Sequence, residues 1–515
     1  MNTVAALARS TPITNRTLFL GMSMLLVIPS ALVSVGFKPL PAAVLLTGCL
    51  GVIALIAGDR SMRPDGVLQQ RVNPLLLGAC ICIAAALLFY SGSLHFFPPT
   101  FDWRIRDAVL ADLRAAGFPA TYRVGGEEYL LRAPIGMYVM PAMLGFSSGL
   151  FSAHIALWIQ NSFALGVILY FICALGFGLR HAALLLLSGT CAILPVALLW
   201  FLGALPPFNG LLVYGLDAWH PTYQYSSAMI QFFWVPNHAI PGWWIAVAFL
   251  LHFEEELDGA SVAATTSAAL FWSPLVVFAA PFLLLGRLRE HVVRPRMWIS
   301  ALIACCFAPV VIYFTADASS IPLSTAPATA ETFSLYSLFV LALAPHAAFL
   351  FLSRESLPTQ YRMAAVISLI LLFTLPAFIF GTSNDIVMRG SIVPLTILWF
   401  LFGYVLLGSS IQHVRDRWLG MVTGVLCSLS AVGTLAMHHL APGWPISDCS
   451  IVQSARELGA GELSPHYHAR WSVIPDWLMI RGSSEPRPTG PRECWSLNEE
   501  PYQTGSFGGI RAAEA

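Results

Sequence analysis

The chain has 515 residues, 57% of them hydrophobic and 10% charged, against roughly 25% charged in an ordinary soluble domain. Lys+Arg and Asp+Glu both total 27, so net charge selects neither nucleic acid nor an acidic partner. These proportions exclude a water-soluble globular chain and leave a membrane protein.

Apolar runs of about 20 residues, enough to cross roughly 30 Å of hydrocarbon as helix, recur over the first 436 positions. Period-2 alternation is missing from runs such as AAVLLTGCLGVIALIAG (42–58), which argues against strands. The expected fold is all-α, a polytopic bundle of about 11–13 spans with juxtamembrane helices in its loops. The runs lie at 17–37, 40–58, 74–94, 151–177, 182–203, 240–253, 260–285, 298–314, 332–352, 363–381, 391–410 and 418–436. MNTVAALARSTPITNR has no small-residue cleavage site after a short apolar core, so the first run reads as a retained span.

Cations cluster at Arg9 and Arg16, at Arg60, Arg63 and Arg71, in 286–296, at Arg354 and Arg362, and in HVRDR (413–417), marking cytoplasmic segments. Counting from an inside N-terminus puts 95–140 on the far side, and counting back from the tail puts 381–391 there too. Residues 132–146 read as a short span or a juxtamembrane helix, and 260–285 is broken at Ser273-Pro274. Depending on that choice 204–240 falls outside or inside, and the outside placement gathers every motif on one face. Three units follow: 1–73 with the first spans, a core over 74–436, and a small exoplasmic tail over 437–515, polar enough to be an appendage.

FFPPTFDWRIRDAVLADL opens the first long loop. Ile105, Val109, Leu110 and Leu113 recur at helical spacing, which describes a helix lying in the interface plane. An anchor is the simpler account of it. The chemical account has Asp102, flanked by Phe101 and Trp103, as a general base whose pKa aromatic burial raises, with Arg104 and Arg106 positioned for a phosphate and Asp107 beside them in the substrate site as a substitute base.

DAWHPTYQYSSAMIQFFWVPNHAIPGWW (217–244) crowds His220, Gln231, Trp234, Asn237 and His238 among aromatics, as a sugar-binding pocket needs, although aromatic girdles are common at interfaces. Its two histidines, 17 residues apart with no nearby carboxylate or Cys pair, fit no zinc spacing, so no metal ligand is assigned. In SNDIVMRGSIVP (383–394), Asn384, Asp385 and Arg389 either cap a helix or grip a lipid phosphate. HFEEELDG (252–259) reads as a solvated loop. Of ten cysteines, only Cys449 and Cys494 lie in the polar tail and are placed to pair, given an oxidising compartment. Gly-rich phosphate loops, nucleophile elbows and His-Glu-x-x-His are absent.

With these motifs in order over about 74–410, the chain resembles the GT-C superfamily of multi-pass glycosyltransferases, near its protein mannosyltransferase-like and aminoarabinose transferase-like members. It departs from them in carrying two spans before the Asp loop and no Asp-x-Asp pair. The resemblance implies transfer of a sugar from a polyprenyl-phosphate donor to a glycan, lipid or protein acceptor at the outer face of a bacterial inner membrane, Asp102 serving as base. No cofactor is required and a divalent cation has no support in the motifs. A transporter or flippase for a lipid-linked or anionic solute is the alternative, and a non-catalytic membrane component a third.

Overall fold

Backbone in hydrocarbon must close its own hydrogen bonds, and this chain does so mostly as helix. A computed structural model describes residues 13–60, 63–204, 215–220, 222–284, 295–381, 384–408, 414–440, 443–458, 463–482 and 494–495. Arg9, residues 205–214, Pro221, 286–294, Ser383 and His413, singled out above, lie outside them.

In chain order come α1 (Asn15–Val33), α2 (Pro39–Ala57), α3 (Pro74–Tyr90), α4 (Trp103–Ala116), β1 (Thr121–Val124), β2 (Glu127–Leu131), α5 (Gly136–Ser148) and α6 (Leu150–Leu175). Next are α7 (Leu179–Leu186), α8 (Ile193–Phe201), α9 (Ala228–Trp234), α10 (Pro236–Phe253), α11 (Gly259–Ala268), α12 (Pro295–Cys305), α13 (Ala308–Thr315) and β3 (Leu323–Thr325). The rest are α14 (Ala330–Leu352), α15 (Thr359–Thr374), β4 (Phe378–Phe380), α16 (Asp385–Gly390), α17 (Ile392–Leu407), α18 (Val414–Leu440), α19 (Ile451–Glu457) and β5 (His468–Arg470).

Among the described residues six helices are long and apolar enough to cross a membrane, namely α1, α2, α6, α14, α15 and α18; α12 and α13, bent by 44°, make a seventh if joined. Several of the apolar runs are thus not single long helices, and shorter apolar helices such as α3 and α17 stand beside these six. Residues 182–203 split into α7 and α8, and the freed backbone between them is satisfied laterally: Ser188 O accepts Ala228 N and Cys191 N donates to Ala342 O, both at 2.9 Å. The run 260–285 breaks into α11 and 3₁₀ turns (Ala269–Phe271, Pro274–Leu284), and 132–146 forms the 13-residue α5, too short to span.

At the centre stand α10 and α17, apolar on every side, as buried helices are. Gly242 permits their contact, since a Cβ there would lie 2.5 Å from Ile392 Cγ2. Along its 18 residues α10 is about 27 Å long and divides the polar chemistry into two ends. At its C-terminal end Glu256 accepts Val67 N and Leu68 N at 2.7 and 2.6 Å, and Arg296 pairs with Asp258 at 2.8 Å. Glu256 is buried, so the acid run is in part a clamp and not simply a solvated loop. At the other end lie Asn237 and His238, α4, and much of the tail.

Two expectations change here. The helix α4 does not lie on the surface: Val109, Leu110 and Leu113 are buried as expected, but so are Arg106, Asp107, Ala108, Ala111 and Asp112, and the helix packs on α5, α6 and α19. Nor is the tail an appendage. Its β5 pairs antiparallel with β2, Leu130 opposite Ala469, closing a three-stranded sheet. Asp112 Oδ2 accepts Ile451 N at 2.9 Å, Phe37 bridges to Met479, and Cys449–Cys494 is a disulfide. The described residues are thus mostly helical, as expected, with two small sheets added.

Candidate functional site

Two helix starts and one tail loop bring the site together. The Pro98-Pro99 stop turns the chain off α3, and Trp103 Nε1 and Thr100 Oγ1 then both donate to Phe233 O, at 2.9 and 3.3 Å. That fixes the start of α4 beside the start of α10. One turn into α4, the buried Arg106 donates from Nη1 to Asn237 Oδ1 at 2.6 Å and to Tyr138 Oη at 3.4 Å, and from Nη2 to Asp102 Oδ2 at 3.1 Å. Burial opposes its charge, but Tyr138, Asp102 and Tyr467 outweigh this and hold the guanidinium pKa above its usual value.

Asp102 departs from expectation in one respect. Trp103 is buried but Phe101 is 50% exposed, so the carboxylate is not sealed between aromatics. It does not cap α4 either. It stands 34% exposed, held by Arg106.

The second cation comes from α16. Asn384 sets its start in a left-handed conformation (φ 50°), and the buried Asp385 pairs with Arg389 one turn on, at 3.0 Å. His466 of the tail lies 3.6 Å from the same Asp385 oxygen. Both Arg106 and Arg389 act electrostatically on the His238 ring, whose Nδ1 is 2.8 Å from Ser273 Oγ. Next to His466, Tyr467 is surrounded: burial raises its hydroxyl pKa, Arg106 and Arg389 pull it down, and Asp102 and Asp385 push it up. The stretches 102–106, 237–238 and 385–389 therefore converge, with 466–467 added. In both arginines Nε is buried without a hydrogen-bond partner among the described residues, leaving donor capacity for an anion.

Other expected residues are placed elsewhere. Arg104 turns to the tail, its guanidinium 4.6 Å from the Trp444 ring centroid and 5.1 Å from that of Trp495, a cation–π clamp. Asp107 faces His95 and His154. Gln231 is spent in the core, donating to Ser226 O and accepting Trp243 Nε1 at 2.8 Å, and Trp234 packs on the apolar core. His220 Nδ1 accepts Thr222 N at 3.1 Å, holding a turn. Asn384 bridges Phe380 N and Thr222 O, both at 3.3 Å, a structural tie. These side chains have structural partners in place of the pocket expected for them.

Tyr138, Ser273, His466 and Tyr467 were not expected. Arg132, which opens the RAPIG segment, explains how the last two arrive: its Nη2 donates to Pro465 O, its Nη1 to Phe314 O at 3.2 Å, and its amide to Tyr467 O at 2.7 Å. Comparisons of the chain with family models, with curated proteins and with solved structures find no match.

Proposed function

We propose that the chain is a membrane glycosyltransferase that moves a sugar from a polyprenyl-phosphate donor to a glycan, lipid or protein acceptor, in a GT-C-like helical core and at the exoplasmic face of a bacterial inner membrane. The observation that carries this reading is the convergence of Asp102, Arg106, Asp385 and Arg389 on one partly buried tyrosine, Tyr467. Two guanidinium groups with unused donors suit a phosphate leaving group, and a partly exposed carboxylate beside them suits an incoming hydroxyl.

In this mechanism the acceptor oxygen attacks the anomeric carbon and gives its proton to Asp102. The bond from that carbon to the phosphate oxygen breaks, and its electron pair leaves with the lipid phosphate, which Arg106 and Arg389 stabilise. Arg106 exchanges its Asp102 contact for the phosphate, freeing the carboxylate for the proton. Asn237 and His238 hold the sugar. The reaction needs no cofactor of its own. The Cys449–Cys494 disulfide favours an oxidising compartment for this end of the molecule.

The test uses the full chain in nanodiscs, synthetic polyprenyl-phosphate sugars, and release of polyprenyl phosphate as the readout. Asp102→Asn is expected to keep polyprenyl-phosphate binding and lose transfer by at least about 100-fold, the lower range of a general base's contribution, whereas Arg389→Gln loses binding. Full transfer by Asp102→Asn ends the proposal. Movement of the intact conjugate across the bilayer without phosphate release favours a flippase instead.

A further inference from the structure

Behind Arg106, on the far side of α4, three side chains meet that the proposed transfer does not use. Asp107 Oδ2 lies 3.0 Å from His95 Nε2, and Asp107 Oδ1 lies 3.9 Å from His154 Nε2. All three are buried, with 4%, 1% and 0% of the His95, Asp107 and His154 side chains exposed. Their ligand atoms fall within 4.8 Å of one another. Three separate elements supply them: the turn after α3, the first turns of α4, and the first turn of α6.

The tautomers decide what this cluster is. His95 Nδ1 is 2.9 Å from Trp444 O, and His154 Nδ1 is 3.3 Å from Ser93 O. A carbonyl oxygen only accepts, so each Nδ1 carries the hydrogen. In the neutral rings each Nε2 then presents a lone pair, and both lone pairs face the Asp107 carboxylate. None of these nitrogen and oxygen atoms has a hydrogen-bonding partner of proper geometry among the described residues. Two lone pairs and a carboxylate pointed at one another in a buried site repel unless a cation lies between them. A proton on His95 Nε2, a form that Asp107 favours, would satisfy that pair alone and leave His154 Nε2, 3.9 Å from Asp107, without a partner, whereas one metal ion serves all three.

Backbone carbonyls on Nδ1 with Nε2 turned inward is also how a protein orients histidines for a metal. Two ligands on one zinc, each at about 2.0–2.2 Å, sit roughly 3.3–3.5 Å apart in a tetrahedral arrangement. The distances of 3.0 and 3.9 Å bracket that separation. Two imidazoles and one carboxylate select a transition metal of the zinc kind over magnesium or calcium, which favour all-oxygen sites.

We propose that His95, Asp107 and His154 bind a single zinc-class divalent ion that pins the turn after α3 and the start of α6 to α4. The ion neutralises the carboxylate and fixes the rotation of α4, which sets the direction of Arg106, the residue next to Asp107. Its role toward the site is one of positioning, and the proposal stands whether or not the chain transfers sugar.

The experiment uses the full-length protein purified in detergent without chelators. Elemental analysis is expected to find about one zinc per chain, a site that dipicolinate empties and cobalt(II) refills with the visible absorption of a four-coordinate ion. X-ray absorption at the zinc edge is expected to show two imidazoles and only nitrogen and oxygen ligands. His154→Gln and Asp107→Asn should weaken metal affinity by more than the roughly 10–100-fold that losing an outer partner costs. If either variant fails to fold, the spectra of the unaltered protein still decide. Protein that neither carries zinc nor develops the cobalt spectrum overturns the proposal. So does sulfur among the ligands, which would move the ion to the buried Cys191, His346 and Cys427.

Discussion

Asp217 shows what a single buried carboxyl does to this fold. Its Oδ2 accepts Ser227 N at 2.7 Å, which favours the anion, yet burial wins and pushes its pKa from 3.8 up to about 6. The folded state therefore holds this proton more tightly than the unfolded chain. Stability from this group is full below about pH 4 and is lost as pH rises through about 6, for a total of roughly 3 kcal/mol. Asp217→Asn, which retains an acceptor for Ser227 N, is expected to flatten that decline when apparent Tm in detergent is followed across the same range. Parallel curves for the two proteins would refute the burial argument. At this same scale Asp102, Arg106, Asn237, His238, Asp385 and Arg389 stand out in sequence because polar and charged side chains are scarce in an apolar chain. Arg104, Gln231 and His220 were legible for the same reason but have structural work to do. Sequence marks that a polar group is present; only packing decides which partner satisfies it.

At the scale of elements, the apolar runs identify most of the helices, but run length does not separate a peripheral helix from a buried one such as α10. The hairpin β1–β2 carried a readable signal, YRVGGEEYLL, with Gly125 and Gly126 at φ 59° and 86° in a two-residue turn. What no local signal gave was its third strand, β5, more than 330 positions away, and with it the arrival of His466 and Tyr467. The docking of this tail has its own test. Cys449 and Cys494 close a loop of 45 positions, and Trp495 beside Cys494 stacks on Arg104. Chain-entropy reasoning gives the bridge up to about 4 kcal/mol. Cys494→Ser is expected to lower the apparent Tm, and reductant to bring the unaltered protein down to the same value while leaving the variant unmoved. Were reductant to leave the unaltered protein unchanged, the bridge would not be what holds the tail.

Over the whole molecule, the polar chemistry separates to the two ends of α10. Arg63 and Glu254 pair at 3.6 Å at one end, near the start of α1, where Asn15 N donates to Gln70 O at 2.9 Å. The hairpin, α16 and the tail gather at the other. Two exposed arginines report on the two ends, Arg63 and, in β1, Arg123. The exposed native cysteines, Cys82 and Cys305, sit within apolar helices, where a bulky charged maleimide has no access in a bilayer. In spheroplasts that reagent is expected to modify Arg123→Cys at once and Arg63→Cys only after the membrane is permeabilised. Because about 27 Å of α10 separates the ends, no modest tilt of the bundle can put both on one side. Labelling of both positions before permeabilisation would break the single-face arrangement on which Asp102, Arg389 and the tail depend for a shared site. Labelling of Arg63→Cys alone would turn the molecule over and place the site in the cytoplasm, where a lasting Cys449–Cys494 bridge is not expected.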